Sequence, residues 1–379
     1  MKVLNINNLL DAETGGGTAE RTFQMSRFLA KAGVETTVLT TSIGLTRQRK
    51  IELKGVNIIA LSTLIKRFFI PKPSFRLLRN TIKEADIIHI MNHWTFLNAL
   101  VYINVRFLKK PYVVCPAGAL PIFGRSRFIK KIYNWIIGEK IIRDASGHVA
   151  IAVNEIEHFH KYGVEADKVF LIPNGINIED FQADDSEIFR LKYRLYDNPF
   201  LMFIGRLNSI KGPDLLLQAF ININDKYNKM HLVFAGPDGG MLSELKDLVA
   251  KSELNDRVHF LGYIGGSEKS QAYHAAELVV IPSRQEAMSI VVLESGITGT
   301  PVLITDQCGF DAVERVGGGK VIPATVEGIQ KGLIEILEDP EKLKSSGEKL
   351  KKYTFENFTW EASIQRYLSL YQHLLKTKN

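Results

Sequence analysis

The chain has 379 residues, 45% of them apolar, a mean hydropathy of −0.01, and 48 Lys and Arg against 41 Asp and Glu, for a formal charge of +7 and a pI of about 9.1. Those values predict two globular domains, each with its own core, and exclude a disordered or low-complexity chain. No apolar run approaches the ~20 residues of a spanning helix; Cys115 and Cys308 are too few for a disulfide scaffold; and the basic charge comes without a nucleic-acid-binding module, so no nucleic acid partner is expected.

In chain order, the first strand is predicted at 3–6; the run Lys2-Val3-Leu4-Asn5-Ile6 is broken by Asn7 and Asn8 and does not read as a signal peptide. With both cysteines read as reduced packing residues, a cytoplasmic location is expected. Gly15, Gly16 and Gly17 come next, then a helix over 19–32 with Thr18 as N-cap and Gly33 as its C-terminal stop. A glycine-rich turn before a helix frees first-turn amides for a donor phosphate or an acceptor, and it also occurs as a plain connection; both readings stay open. Further strands are predicted at 35–40, 57–61, 87–90, 112–115, 148–152 and 169–172. Two stretches, 64–72 and 123–143, mix cations (Arg125, Arg127, Lys130, Lys131) with Phe128, Ile132, Trp135 and Ile136. That mixture suits an anionic membrane surface, or equally a packed helix with a basic outer face.

The polar segment 179–197 reads as a linker, and strands resume at 200–204, 231–235, 258–261, 278–281, 302–305 and 320–322. Strands and helices alternate throughout, which predicts an α/β fold with parallel sheets covered by helices on both faces. The last helix, 359–376, carries an apolar face of Trp360, Ile364, Tyr367, Leu368 and Tyr371.

Two segments of the second half carry chemistry. The buried strand at 200–204 runs into Gly205-Arg206-Leu207-Asn208-Ser209-Ile210-Lys211-Gly212-Pro213, which puts a guanidinium and an ammonium at a strand end between glycines. Arg supplies a planar fork for phosphate and Lys a point charge. The strand at 278–281 runs into Pro282-Ser283-Arg284-Gln285-Glu286-Ala287-Met288-Ser289-Ile290-Val291-Val292-Leu293-Glu294. Ser289 is a suitable N-cap, and the amides near Ile290 and Val291 suit a phosphate. Glu294, one turn in, is placed for ribose hydroxyls, and Glu286 faces what lies beyond the phosphate. Acids near a helix start also occur on ordinary surface helices. With the Arg206–Lys211 loop, the reading is an enzyme that holds a nucleotide by its phosphates and ribose.

Gly205-Arg206 with Lys211-Gly212, Glu286 with Glu294, and Gly299-Thr300-Pro301-Val302 resemble the donor-binding half of the retaining glycosyltransferases of family 4 (glycosyl transferases group 1). Gly15 to Gly17, Asp86-Ile87-Ile88-His89 and Ile172-Pro173-Asn174-Gly175-Ile176-Asn177 extend the resemblance to the first half. It implies a GT-B fold of two Rossmann-like domains: an acceptor domain over 1–178 completed by the helix at 359–379, and a donor domain over 198–358, with ligands in the cleft between them. It implies transfer of a sugar from a UDP- or GDP-sugar to a glycan or lipid-linked glycan, in surface polysaccharide or lipopolysaccharide synthesis, at the inner face of the plasma membrane. No cofactor and no metal are implied. Arg206, Lys211 and Glu286 would be catalytic; Gly16, Gly17, Gly205, Ser289, Ile290, Val291 and Glu294 would bind the donor. Many relatives carry His-x-His at the strand end where this chain has His89-Ile90-Met91, with His93 beside Trp94, so His89 and His93 are the candidates for a sugar or acceptor contact. Pro116-Ala117-Gly118 lacks the arginine some relatives place before the glycine. A sugar-nucleotide epimerase on the same fold and a non-catalytic binding subunit are the alternatives. An epimerase would bring further acids and histidines, and a binding subunit would have lost members of the Arg206, Lys211, Glu286, Glu294 set.

Overall fold

The computed structural model describes residues 1–65, 69–72, 74–122 and 126–377, with backbone alone at 12 and 13. Two compact units result: Met1–Gly175 with Trp360–Asn379, and Ile176–Thr359.

In the first unit, β1 (Lys2–Ile6), β2 (Glu35–Thr41) and β3 (Val56–Leu61) precede a separate antiparallel ribbon of β4 (Thr63–Ile65) and β5 (Ile70–Pro71). Four more strands follow, β6 (Ile87–Met91), β7 (Tyr112–Cys115), β8 (Gly147–Ala150) and β9 (Val169–Leu171). The main sheet is parallel, in the order β3-β2-β1-β6-β7-β8-β9. Its central strands are buried on both faces, which is why Ile87-Ile88-His89-Ile90-Met91 is apolar at every position but His89 and not alternating. Ile6, Ile88, Ile90, Val101 and Val114 share one core with the helix Phe96–Leu108.

The second unit holds β10 (Phe200–Ile204), β11 (His231–Ala235), β12 (Val258–Gly262), β13 (Leu278–Ile281), β14 (Val302–Thr305) and β15 (Gly319–Ile322), parallel in the order β12-β11-β10-β13-β14-β15. Leu201, Phe203, Leu232, Phe234, Leu278 and Val280 form its core with Leu216, Leu217 and Phe220 of the helix Pro213–Ile223. The expected α/β architecture of two parallel sheets is therefore present. In each sheet the strand order reverses once, between β1 and β6 and between β10 and β13, and such reversals are where open parallel sheets receive ligands.

Three local expectations are corrected. The first helix starts at Ala12, not Ala19, and includes the three glycines. Asp11 caps it, its carboxylate accepting from the Thr14 amide at 2.9 Å and the Thr14 hydroxyl at 2.6 Å, so Thr18 is not the N-cap. The helix survives three glycines by breaking at Gly16, which adopts φ 60° and ψ −148°, a backbone setting that only glycine enters freely. The segment 179–197 is also more than a connection: it contains the 3-10 turn Ile178–Phe181 and the helix Ser186–Lys192, and lies within the second unit.

The helix Trp360–Lys376 packs in the first unit. The buried Arg21 guanidinium donates to the Tyr367 hydroxyl, to Asn174 and, at 2.9 Å, to the Ile172 carbonyl, while the Trp360 ring stacks on Phe28. A Cβ at Gly175 would fall 2.8 Å from the Trp360 ring, so glycine there lets the helix seat.

Candidate functional site

At the β10/β13 reversal two loops leave neighbouring strand ends, since Leu201 pairs with Leu278 and Met202 with Val279. The loop after β10 carries Arg206 and Lys211. It is fixed by the Leu207 amide bonding to the Pro237 carbonyl at 3.0 Å and by the Asn208 side chain accepting from the Lys211 amide at 3.0 Å. Gly212 ends it at φ 68°, where a Cβ would sit 2.2 Å from the Pro282 carbonyl oxygen, so only glycine allows this loop to press on the next one. The result is that Lys211 Nζ lies 2.7 Å from Glu286 Oε1, with side chains 33% and 10% exposed. The Ser283 hydroxyl donates to the same oxygen at 2.5 Å, and the Glu286 amide is held by the Gln307 carbonyl at 2.8 Å.

Arg284, which the sequence reading did not single out, ties the two loops. Its amide donates to the Ile210 carbonyl and its guanidinium to the Ser209 carbonyl, both at 2.7 Å, and the guanidinium also forks onto Asp214 at 2.6 and 2.9 Å. Its place directly after β13, inside the Glu286 loop, was the available signal. Cys308 lies behind this loop with its thiol pushed up to about 12 by burial and by Glu286, which leaves it an inert packing group.

The helix Ile290–Thr298 begins beside this pair. Ser289 occupies the N-cap position, but its hydroxyl makes no capping bond and is buried without a partner. The first-turn amides at Ile290 and Val291 therefore receive no cap from it. Glu294 is less open than expected: Oε1 takes the Lys269 ammonium at 2.7 Å and Oε2 the Tyr273 hydroxyl at 2.6 Å. Lys269 and Tyr273, both on the helix Gly266–Ala275, were also missed, because nothing in sequence spacing links that helix to Glu294.

The first unit gathers a second set at its own reversal, β1/β6. Gly15 presses on Leu9 and Ala19, where a Cβ would come within 3.0 and 2.5 Å, whereas a Cβ on Gly16 would meet open space out to 4 Å. His89 and His93 are fully buried here, so the sugar contact expected of them is not on an open surface. His89 lies at 2.6 Å from the Tyr371 hydroxyl, and burial, followed by Arg21, lowers its pKa to about 3. His93 sits among the rings of Trp94, Tyr133 and Tyr162, and burial lowers it to about 4 against a contact with Asn134 at 3.3 Å. Asn134 opens a π-helical turn, Asn134–Gly138, of a kind found often at functional sites. The loop at 116–118 holds no exposed cation; instead the Gly118 amide donates to the buried Glu155 carboxylate.

Of the basic aromatic stretches, residues 66–68 and 123–125, including Arg125, lie outside the described residues. Arg127–Tyr133 is a helix whose Phe128 is 75% exposed, and Trp135 after it is 81% exposed. No helix among the described residues is long and apolar enough to cross a membrane.

Residues 15–180 match the model of Glycosyltransferase Family 4 and residues 185–353 that of Glycosyl transferases group 1. An uncharacterized glycosyltransferase of Methanocaldococcus jannaschii is 30% identical over 218 residues, 56% of this chain and 55% of that one. The D-inositol 3-phosphate glycosyltransferase of Nocardia farcinica is 28% identical over 250 residues, 63% of this chain and 55% of that one. The chain thus spans about half the length of these curated relatives. Among solved structures, HepE of Anabaena in complex with UDP and glucose superposes with a TM-score of 0.81, 18% identity, and coverage of 98% and 99% of the two chains. At that identity the likeness is one of fold, the GT-B arrangement of two parallel sheets.

Proposed function

Because this chain belongs to the group 1, family 4 glycosyltransferases, we propose that it transfers a sugar from a nucleotide-sugar donor to a glycan or lipid-linked glycan with retention of anomeric configuration. The observation that carries the reading is the Lys211–Glu286 contact of 2.7 Å at the β10/β13 reversal, next to a helix start whose N-cap hydroxyl is unspent. In the resting site Lys211 neutralises Glu286. A donor diphosphate draws Lys211 and Arg206 onto itself, and the amides of Ile290 and Val291 add neutral donors together with the Ser289 hydroxyl. As the bond to the sugar breaks, charge grows on the diphosphate, so these groups stabilise the transition state more than the ground state. A diphosphate oxygen on the leaving-group face takes the acceptor proton, which is the route to retention without a side-chain base.

Glu286 then stands beside the transferred sugar, and Glu294 takes the ribose. Gly205 allows close approach of the phosphates in the second unit, and the Gly16–Gly17 backbone is the first unit's own candidate for a donor contact. The donor is assigned as a UDP-sugar, with GDP as the other candidate; the UDP found in HepE supports this choice. With cations already opposite the diphosphate, the step needs no metal. The exposed Phe128 and Trp135 beside Arg127, Lys130 and Lys131 support a peripheral position on an anionic membrane, where a lipid-linked acceptor of surface polysaccharide or lipopolysaccharide synthesis would lie.

The test is single-turnover transfer from labelled UDP- and GDP-sugars by the parent, Arg206→Ala and Lys211→Ala. Each variant should lose at least about a hundredfold, the scale for removing one preorganised donor. Near-parental rates in both would refute the diphosphate assignment.

A further inference from the structure

The carboxylate of Glu294 is already engaged at both oxygens, by the Lys269 ammonium at 2.7 Å and the Tyr273 hydroxyl at 2.6 Å. Both partners are themselves fixed. Tyr273 is fully buried, and burial together with Glu294 keeps its hydroxyl protonated, so it acts only as a donor to the acid. Its ring meets Phe181 edge-on at 5.9 Å. The Lys269 ammonium lies 5.2 Å from the centre of the same Phe181 ring. Ser270, between them on the helix Gly266–Ala275, donates to the Ala183 carbonyl at 2.7 Å and anchors that helix to the segment after Phe181.

A carboxylate oxygen has two acceptor sites. With one on each oxygen occupied by these partners, Glu294 keeps one acceptor site per oxygen for a ligand. We infer that Lys269 and Tyr273 are positioning residues that hold the Glu294 carboxylate in the orientation in which it meets the ribose hydroxyls of the donor. The inference rests on the assignment of Glu294 to the ribose and deepens it. A nucleotide lacking the 2′-hydroxyl leaves one buried acceptor unfilled, and a site built to bond a hydroxyl rejects the ligand without it. Lys269 also keeps the acid from meeting an incoming diphosphate as an uncompensated negative charge.

The experiment is calorimetry of the full chain with UDP and 2′-deoxy-UDP, repeated with the GDP and ADP pairs. On the scale of a hydrogen bond to a charged group, the parent should prefer the ribonucleotide at least about tenfold, and Lys269→Met and Tyr273→Phe should each bring that ratio to within about threefold, mainly by weakening the ribonucleotide. Lys269→Arg should keep the preference. A change that merely loosens the fold would weaken both nucleotides alike and leave the ratio standing, so the ratio, with melting curves to confirm folding, separates positioning from stability. Equal affinity of the parent for both members of a pair overturns the inference, as does a ratio preserved in both Lys269→Met and Tyr273→Phe. If the parent binds none of UDP, GDP and ADP, the donor reading itself falls and takes the inference with it.

Discussion

Acidification should destabilise the first unit through its buried histidines. His89 and His93 are neutral in the fold, with pKa values of about 3 and about 4 against an ordinary 6.5, the first cause in each case being burial. In the unfolded chain both regain the ordinary value. Between pH 6.5 and about 4 the unfolded state therefore binds more protons than the folded one, and stability falls as pH falls through that window. At pH 5 each histidine costs about 2 kcal/mol relative to pH 7.5, or about 4 kcal/mol together, a large part of the ~5–15 kcal/mol that holds a domain. For a unit of this size that is a drop in Tm of roughly 10 °C. His231 shifts the same way, to about 4 through burial and His259, but it belongs to the second unit. The assay can separate the units, because all three tryptophans, Trp94, Trp135 and Trp360, lie in the first. Thermal melts followed by tryptophan fluorescence from pH 7.5 to pH 5 should show the drop, and His93→Phe, which keeps a ring among Trp94, Tyr133 and Tyr162, should show a shallower one, the rest coming from His89 and from His148 and His158, which burial lowers in the same direction. A Tm flat across that range, or a variant with the full parental dependence, would refute the argument.

Glu286→Gln should slow sugar transfer while leaving nucleotide affinity near the parent's, because Glu286 meets Lys211 and Ser283 and not the ribose site; a calorimetric loss of nucleotide binding as large as that of Glu294→Gln would contradict the division of roles. Transfer should persist in EDTA, since Arg206, Lys211 and the helix amides already oppose the diphosphate; complete loss restored by magnesium or manganese would overturn the metal-free step. The parent should sediment with anionic liposomes at low salt and be partly released at high salt, each cation near the surface contributing about 1 kcal/mol. Replacing Arg127, Lys130 and Lys131 by serine should remove the salt-dependent part, and equal sedimentation of parent and variant would mark those residues as a solvated face.

The thirteen strands of the two main sheets were legible because parallel strands buried on both faces are written as short apolar runs, and several boundaries, such as Phe200–Ile204 and Leu278–Ile281, follow from those runs alone. The start of the first helix was not. Three consecutive glycines argue against a helix by propensity, and the competing signal, Asp11 reaching to Thr14, is local and short. Ser289 was placed correctly at a helix start, yet its hydroxyl stays unspent, a matter of rotamer and burial that no spacing reveals. Glu294 shows the larger limit. Its partners Lys269 and Tyr273 stand on a different helix, and only the packing of the Gly266–Ala275 and Ile290–Thr298 helices brings them together. His89, a candidate because it ends a strand where relatives carry His-x-His, is buried under the helix Trp360–Lys376, whose Tyr371 hydroxyl lies 2.6 Å away, a tertiary contact that its local sequence does not announce.

That same helix sets an order on biosynthesis. The first unit is discontinuous: its Trp360–Asn379 portion leaves the ribosome only after the whole of Ile176–Thr359. At about 5–20 residues per second, the nascent Met1–Gly175 portion waits some ten to forty seconds with its Trp360 seat at Phe28 and Gly175 uncovered and Arg21 missing its Tyr367 partner. The second unit has no such delay, being continuous. Translation speed and chaperone occupancy therefore act on one half of this molecule much more than on the other.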